Sequence, residues 1–265
     1  MSVAGSQWKR LWSLAPMDFV TPWKPAAAFG LVLAMMALML TLDVAFFAAV
    51  LSYRNPGVLN SNQAFDALSE IEHYLPAIIS GLITQFTLIA GLWLIAGRGG
   101  ARPERVLLLG SPKTDARTNV LTVAGFVVAT YVLAGAVFVI FPYDPNEVAP
   151  FMATLVRSQY WWLLLAMLVV GAPLFEELWF RGFLFPALAK SRIGVAGAAM
   201  VSSGLWAAMH VGYPPQVLVV VFLIGLMLTS VLLRTGSLWL PVVCHAVYNG
   251  TSFVYFRWFA ELPGA

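Results

Sequence analysis

Three groups of residues in the second half of the chain have the types and spacing for proton-transfer chemistry. The run Phe175-Glu176-Glu177-Leu178-Trp179-Phe180-Arg181 sets two carboxylates and a guanidinium in an apolar stretch. On a helix Glu177 and Arg181, four apart, share a face and can pair. Glu176 is turned about 100° away and is left available for chemistry. A carboxylate in a water-poor site is a general acid–base that takes a proton from water and returns it. His210 follows a run of small residues that includes Gly197, Ser202, Ser203 and Ala207. Small residues let helix backbones approach closely in lipid, so this helix is expected in the centre of a bundle. His245 and Asn249, also four apart, project from one face and can donate hydrogen bonds to one point.

Each group also has a purely structural reading. The three charges could form one buried network that holds helices together, and His210 could make a single interfacial hydrogen bond. His245 and Asn249 could be interhelical contacts worth on average about 0.6 kcal/mol each. The conjunction favours chemistry, because two of the three histidines and the Glu-Glu-Arg group fall in spans of the same half of the chain. Cys244 is turned about 100° from His245, so the two do not form a nucleophile pair and Cys244 reads as small packing.

The elements that carry these residues must lie in a membrane. Of 265 residues 60% are hydrophobic and 10% charged, with a net charge of +3. A soluble domain carries about 25% charged residues, which excludes an ordinary soluble enzyme. Abundant apolar residues exclude disorder, and the absence of a basic stripe excludes a nucleic-acid partner. A span needs about 20 apolar residues, and seven stretches read as spans: 26–51, 75–96, 120–141, 160–188, 195–210, 216–233 and 239–259. In lipid the backbone must satisfy itself, so these are helices. The fold class is all-α and polytopic: about seven transmembrane helices, with a four-helix catalytic core at 160–259.

Ahead of the core lie an interfacial segment at 1–25, with Trp8, Trp12 and Trp23 beside Lys9, Arg10 and Lys24, and three helices over 26–141. The charged loop 97–119 reads as the divider within the chain. The first apolar stretch begins too late and runs too long for a cleaved signal. Asp43, in the outer half of the first span, is read as reaching for the interface, and Glu70, Glu72 and His73 as solvated in an outer loop. With the N-terminus inside, the cytoplasmic face receives Lys9, Arg10, Lys24, Arg98, Arg102, Arg105, Lys113, Arg117, Lys190, Arg192 and Arg234. The other face receives only Arg54, Arg157 and Arg257. This positive-inside asymmetry predicts an integral, multi-pass protein with a cytoplasmic N-terminus, in the cell (inner) membrane.

The charges of the fourth span are expensive. Three at a helix centre cost roughly 8–10 kcal/mol, and the fourteen Leu, Val and Phe of 160–188 return roughly 4–8. They are therefore expected to face protein or water. Counted from the cytoplasmic helix ends, His245 lies at roughly 9 Å, Glu176 at roughly 18 Å and His210 at roughly 22 Å. Tilt or shifted boundaries must bring them together.

Glu176-Glu177-x-x-x-Arg181, Trp206-x-x-x-His210 and His245-x-x-x-Asn249 resemble the three motifs of the CPBP (CAAX protease and bacteriocin-processing, or Abi) intramembrane endopeptidases. Arg234-Thr235-Gly236-Ser237-Leu238-Trp239, leading through Pro241 to His245-Ala246, is similar as well, and the resemblance covers about 160–259. Trp206 stands where the family usually has Phe. The resemblance implies hydrolysis of a peptide bond in a membrane-associated or prenylated peptide or protein within the lipid bilayer. Glu176 and His210 would activate water, His245 and Asn249 would stabilise the oxyanion, and Glu177 and Arg181 would support them. No cofactor is implied. The alternative is zinc held by Glu176, His210 and His245, although the H-E-x-x-H helix of common zinc peptidases is absent. Two other readings compete. One is a non-catalytic membrane scaffold or immunity-type binding protein with the same fold. The other is an ion pathway, which the missing repeat symmetry disfavours.

Overall fold

The computed structural model describes residues 19–54, 74–142, 155–210 and 212–259. Trp8, Lys9, Arg10 and Trp12 of the expected interfacial segment, and Glu70, Glu72 and His73 of the outer loop, lie outside the described residues. The described chain is helical, without strands. Its long helices are α1 (Pro25–Arg54), α2 (Tyr74–Ala96), α3 (Ala116–Ile140), α4 (Trp161–Ala189), α5 (Gly194–Ala208), α6 (Pro215–Thr235) and α7 (Trp239–Trp258). The protein is an integral, multi-pass membrane protein. Five of its helices, α1 to α4 and α6, are long and apolar enough to cross a bilayer. The two that fall outside this group are α5, which has 15 residues, and α7, whose face carries His245 and Asn249. Of the helices around the candidate chemistry, α5 and α7 thus fall outside this group and α4 lies within it.

Burial ranks the helices. In α4, 56% of the apolar window is buried, against 12% in α1 and 17% in α3. Helix α4 is therefore the central post. It is packed by α1, α2, α5 and α7, while α6 lies against α5, α7 and α3. Residues 178–188 of α4 are buried without interruption. Just before α1, Phe19 packs edge-on against Phe185 and Trp23 against Phe183, so this stretch rests on α4.

Two features of α4 depart from a regular helix. Met167–Gly171 and Leu178–Leu184 are π-helical. A π stretch changes the bonding from i→i+4 to i→i+5 and releases carbonyls to outside donors. In lipid such carbonyls need partners. Asn249 Nδ2 donates to Leu168 O at 2.9 Å, and Ser202 Oγ donates to Phe180 O at 2.9 Å. Each bulge is thereby fastened to a neighbouring helix.

Loop 97–119 is built into the core. Ser237 Oγ donates to Gly110 O, Leu238 N to Leu108 O, Trp239 Nε1 to Leu109 O and Lys113 N to Thr235 O. The α6–α7 turn that makes these bonds, donating three and accepting one, needs Gly236, whose φ of 69° is left-handed. The end of α5 also differs from the sequence expectation. The helix stops at Ala208, and His210 sits in the following turn, donating its backbone N–H to Ala207 O. Pro214 and Pro215 follow closely, and a residue before proline is disfavoured in helical geometry.

The close approach of α5 and α6 gives a direct test. A Cβ on Gly225 would lie 2.8 Å from Ser203 Cβ and 2.9 Å from Arg181 Nη2, whereas one on Gly204 would meet nothing within 4 Å. Gly225→Ala is expected to lower stability by about 1–3 kcal/mol, as overpacking does, and Gly204→Ala to leave it unchanged. Thermal unfolding in detergent measures both.

Candidate active site

Glu176 and Glu177 both lie in the α-helical turn between the two π stretches of α4, and Arg181 lies in the second of those stretches. Glu177 and Arg181 pair as the spacing predicts, with Arg181 Nη1 3.0 Å from Glu177 Oε1 and neither side chain exposed. The same Oε1 lies 3.1 Å from His245 Nδ1. A carboxylate oxygen only accepts, so His245 Nδ1 carries the proton in this bond. The other ring nitrogen, Nε2, lies 3.9 Å from Glu176 Oε2. The pair of glutamates is therefore divided by direction: Glu177 faces Arg181 and His245 from behind, and Glu176 faces the far side of the imidazole. Glu176 also keeps 12% of its side chain exposed, against 0% for Glu177.

Trp206 is the hub that sequence reasoning placed only at the edge. Its indole N–H donates to Glu176 Oε2. Its ring meets His210 and His245 edge-on, each with centroids 5.4 Å apart. The Arg181 guanidinium lies over the ring at 4.4 Å, a cation–π contact in a desolvated setting. A tryptophan here supplies both an apolar wall and a donor, which phenylalanine cannot.

His210 donates Nδ1–H to the Trp206 carbonyl at 3.0 Å, which leaves Nε2 as an acceptor. It makes no ion pair with either carboxylate. Tyr213 stacks on it, with centroids 5.9 Å apart and planes 22° apart. Burial, and then the charge of Glu176, push the Tyr213 phenol up from its usual range. The signal for Tyr213 was its position three residues past His210. Asn249 sits on the His245 face of α7, but one of its N–H groups is committed to Leu168 O. The second is the one left for a ligand.

The structure thus joins Glu176, Glu177, Arg181, Trp206 and His245 in direct contact, places His210 against Trp206, and anchors Asn249 on the first bulge. Among the described residues no three His, Cys, Asp or Glu side chains are gathered to hold a metal ion. Cys244 is buried beside the site and free.

Residues 158–251, roughly a third of the chain, match the family described as type II CAAX prenyl endopeptidase, Rce1-like. No curated protein and no solved structure matches the chain.

The division between the two glutamates predicts unequal stability effects. Glu177→Ala strands a fully buried guanidinium and removes the partner of His245, a loss of about 3–5 kcal/mol. Glu176→Ala leaves the Trp206 N–H without its acceptor, a smaller loss of about 1–3 kcal/mol; thermal unfolding in detergent measures both.

Proposed function

We propose, taking residues 158–251 as an Rce1-like domain of a CPBP-type intramembrane protease, that the chain is an endopeptidase using Glu176 to activate water. Its substrate is a membrane-associated or prenylated peptide or protein. The observation that carries the reading is the opposed orientation of the two glutamates. Glu177 is committed to Arg181 and His245, while Glu176, held by the Trp206 N–H, faces His245 Nε2 at 3.9 Å.

The chemistry follows from which atoms accept and which donate. Glu176 and His210 Nε2 are both acceptors. A water that donates one hydrogen to each presents its lone pair to a carbonyl carbon. Glu176 takes the proton as the oxygen–carbon bond forms, and the carbonyl electrons move onto oxygen. His245 Nδ1–H is committed to Glu177, so only the imidazolium form donates from Nε2 to that oxyanion. Asn249 donates its remaining N–H. Collapse of the tetrahedral species breaks the C–N bond, and the proton held by Glu176 goes to the leaving amine. Arg181 and Glu177 act through His245, fixing its ring and balancing its charge. No step requires a metal.

The positive-inside distribution supports a cytoplasmic N-terminus. The test is incubation of purified protein with a library of membrane-tethered peptides, followed by sequencing of the products. Glu176→Ala and His210→Ala are expected to abolish cleavage while remaining folded. Asn249→Ala is expected to lower kcat by about 10²–10³, the usual cost of one oxyanion donor. Activity is expected to survive chelator treatment, with no metal found by elemental analysis. Normal turnover by Glu176→Ala, or loss of activity on chelation with recovery on adding zinc, would overturn the reading.

A further inference from the structure

Away from the catalytic group, a second set of polar side chains converges within the bilayer. A cavity of about 310 Å³ between α1, α2 and the first bulge of α4 is lined by Asp43, Ser80, Thr84 and Gln85, with Phe46 and Met167 among its walls. Ser80 and Thr84 are buried, at 8% and 5% exposure. Gln85 Oε1 is buried with no hydrogen-bond partner. A Cβ on Gly171 would lie 2.3 Å from that oxygen, so a glycine in the bulge is what admits the amide. Asp43, expected from its place in the sequence to reach for the interface, lines this cavity.

The lining has a definite chemistry. A carboxylate only accepts, and hydroxyls accept or donate. An acceptor-rich set with one acid, in hydrocarbon, is satisfied by a cation that carries several donors. The volume far exceeds that of a bare ion or a single water, which needs about 10–15 Å³ on such a measure. An aromatic wall at Phe46 also suits an organic cation. Depth narrows the class further. Asp43 is 18 residues beyond Pro25, about 27 Å along a helix, where the hydrocarbon is about 30 Å thick. Ser80 and Thr84 fall in the first half of α2, and Met167 near the start of α4, so all lie toward one membrane boundary. Lipid headgroups occupy that level.

We propose that this cavity binds the primary ammonium of an aminophospholipid headgroup. Asp43 accepts from the ammonium, the Ser80 and Thr84 hydroxyls complete its shell, and the short carbon stem lies against Met167 and Phe46. The acyl chains run along the lipid-facing surface of α1. The site is separate from the hydrolytic group and does not depend on the proteolytic reading.

The test is native mass spectrometry of the full chain released from mixed vesicles of phosphatidylethanolamine and phosphatidylcholine with identical acyl chains. The trimethylated headgroup has no N–H to give. A charge-assisted bond predicts retention of phosphatidylethanolamine over phosphatidylcholine by about tenfold or more. Asp43→Asn is expected to shrink that preference to about twofold or less. Equal retention of the two lipids by the wild type overturns the proposal without recourse to any variant. A preference that survives Asp43→Asn also overturns it.

Discussion

A guanidinium with no exposed surface, in the central helix of a membrane bundle, requires a carboxylate, and Arg181 has Glu177 at 3.0 Å. That pairing sets much else. It fixes the rotation of α4, since the shared face of Glu177 and Arg181 must look inward. It leaves Glu177 Oε1 as the acceptor for His245 Nδ1 at 3.1 Å, which orients the imidazole of α7. It also sends Glu176, one residue away and about 100° around the helix, toward the opposite edge of that imidazole. Adjacent carboxylates in one helix thus acquire separate tasks by direction alone. A buried ion pair is weak evidence for net stability. Its value here is that it specifies one arrangement of three helices.

The surrounding helices make this arrangement reachable. Small side chains on α5 and Gly225 on α6 allow close approach, with Ser203 and Arg181 meeting at the contact. The two π stretches of α4 release carbonyls that Asn249 and Ser202 satisfy. A polar residue placed to do chemistry in lipid must itself be held by polar contacts, and the bulges provide them without opening the helix to lipid. Trp206 completes the frame: one side chain gives Glu176 a donor, Arg181 an aromatic face and both histidines an edge.

Most of the helical plan was legible from hydropathy, because the bilayer imposes a length on each apolar run. The Glu177–Arg181 pair was legible from i,i+4 spacing, and the separate direction of Glu176 from the helical repeat. Other features were not. Depth counting along straight helices put His245 and Glu176 at different levels, yet they lie 3.9 Å apart; a count of regular turns cannot anticipate two π stretches. Trp206 looked like a flanking substitution, because an aromatic side chain in a span gives no sign of where its N–H points. His210 fell in a turn beyond α5, where the Pro214-Pro215 pair was the available clue. Asp43 gave a depth but no partners, since the cavity it lines is formed by three helices that are distant in sequence.

The account's central claim is that a water molecule, activated by Glu176, supplies the oxygen that ends up in the product. A single-turnover reaction on a cleaved membrane peptide in ¹⁸O-labelled water, with both product and protein analysed by mass spectrometry, measures this directly. The account predicts one ¹⁸O in the new C-terminal carboxyl group and none in Glu176. Unlabelled oxygen in the first-turnover product, with label appearing in Glu176, would show direct attack by the carboxylate and contradict it.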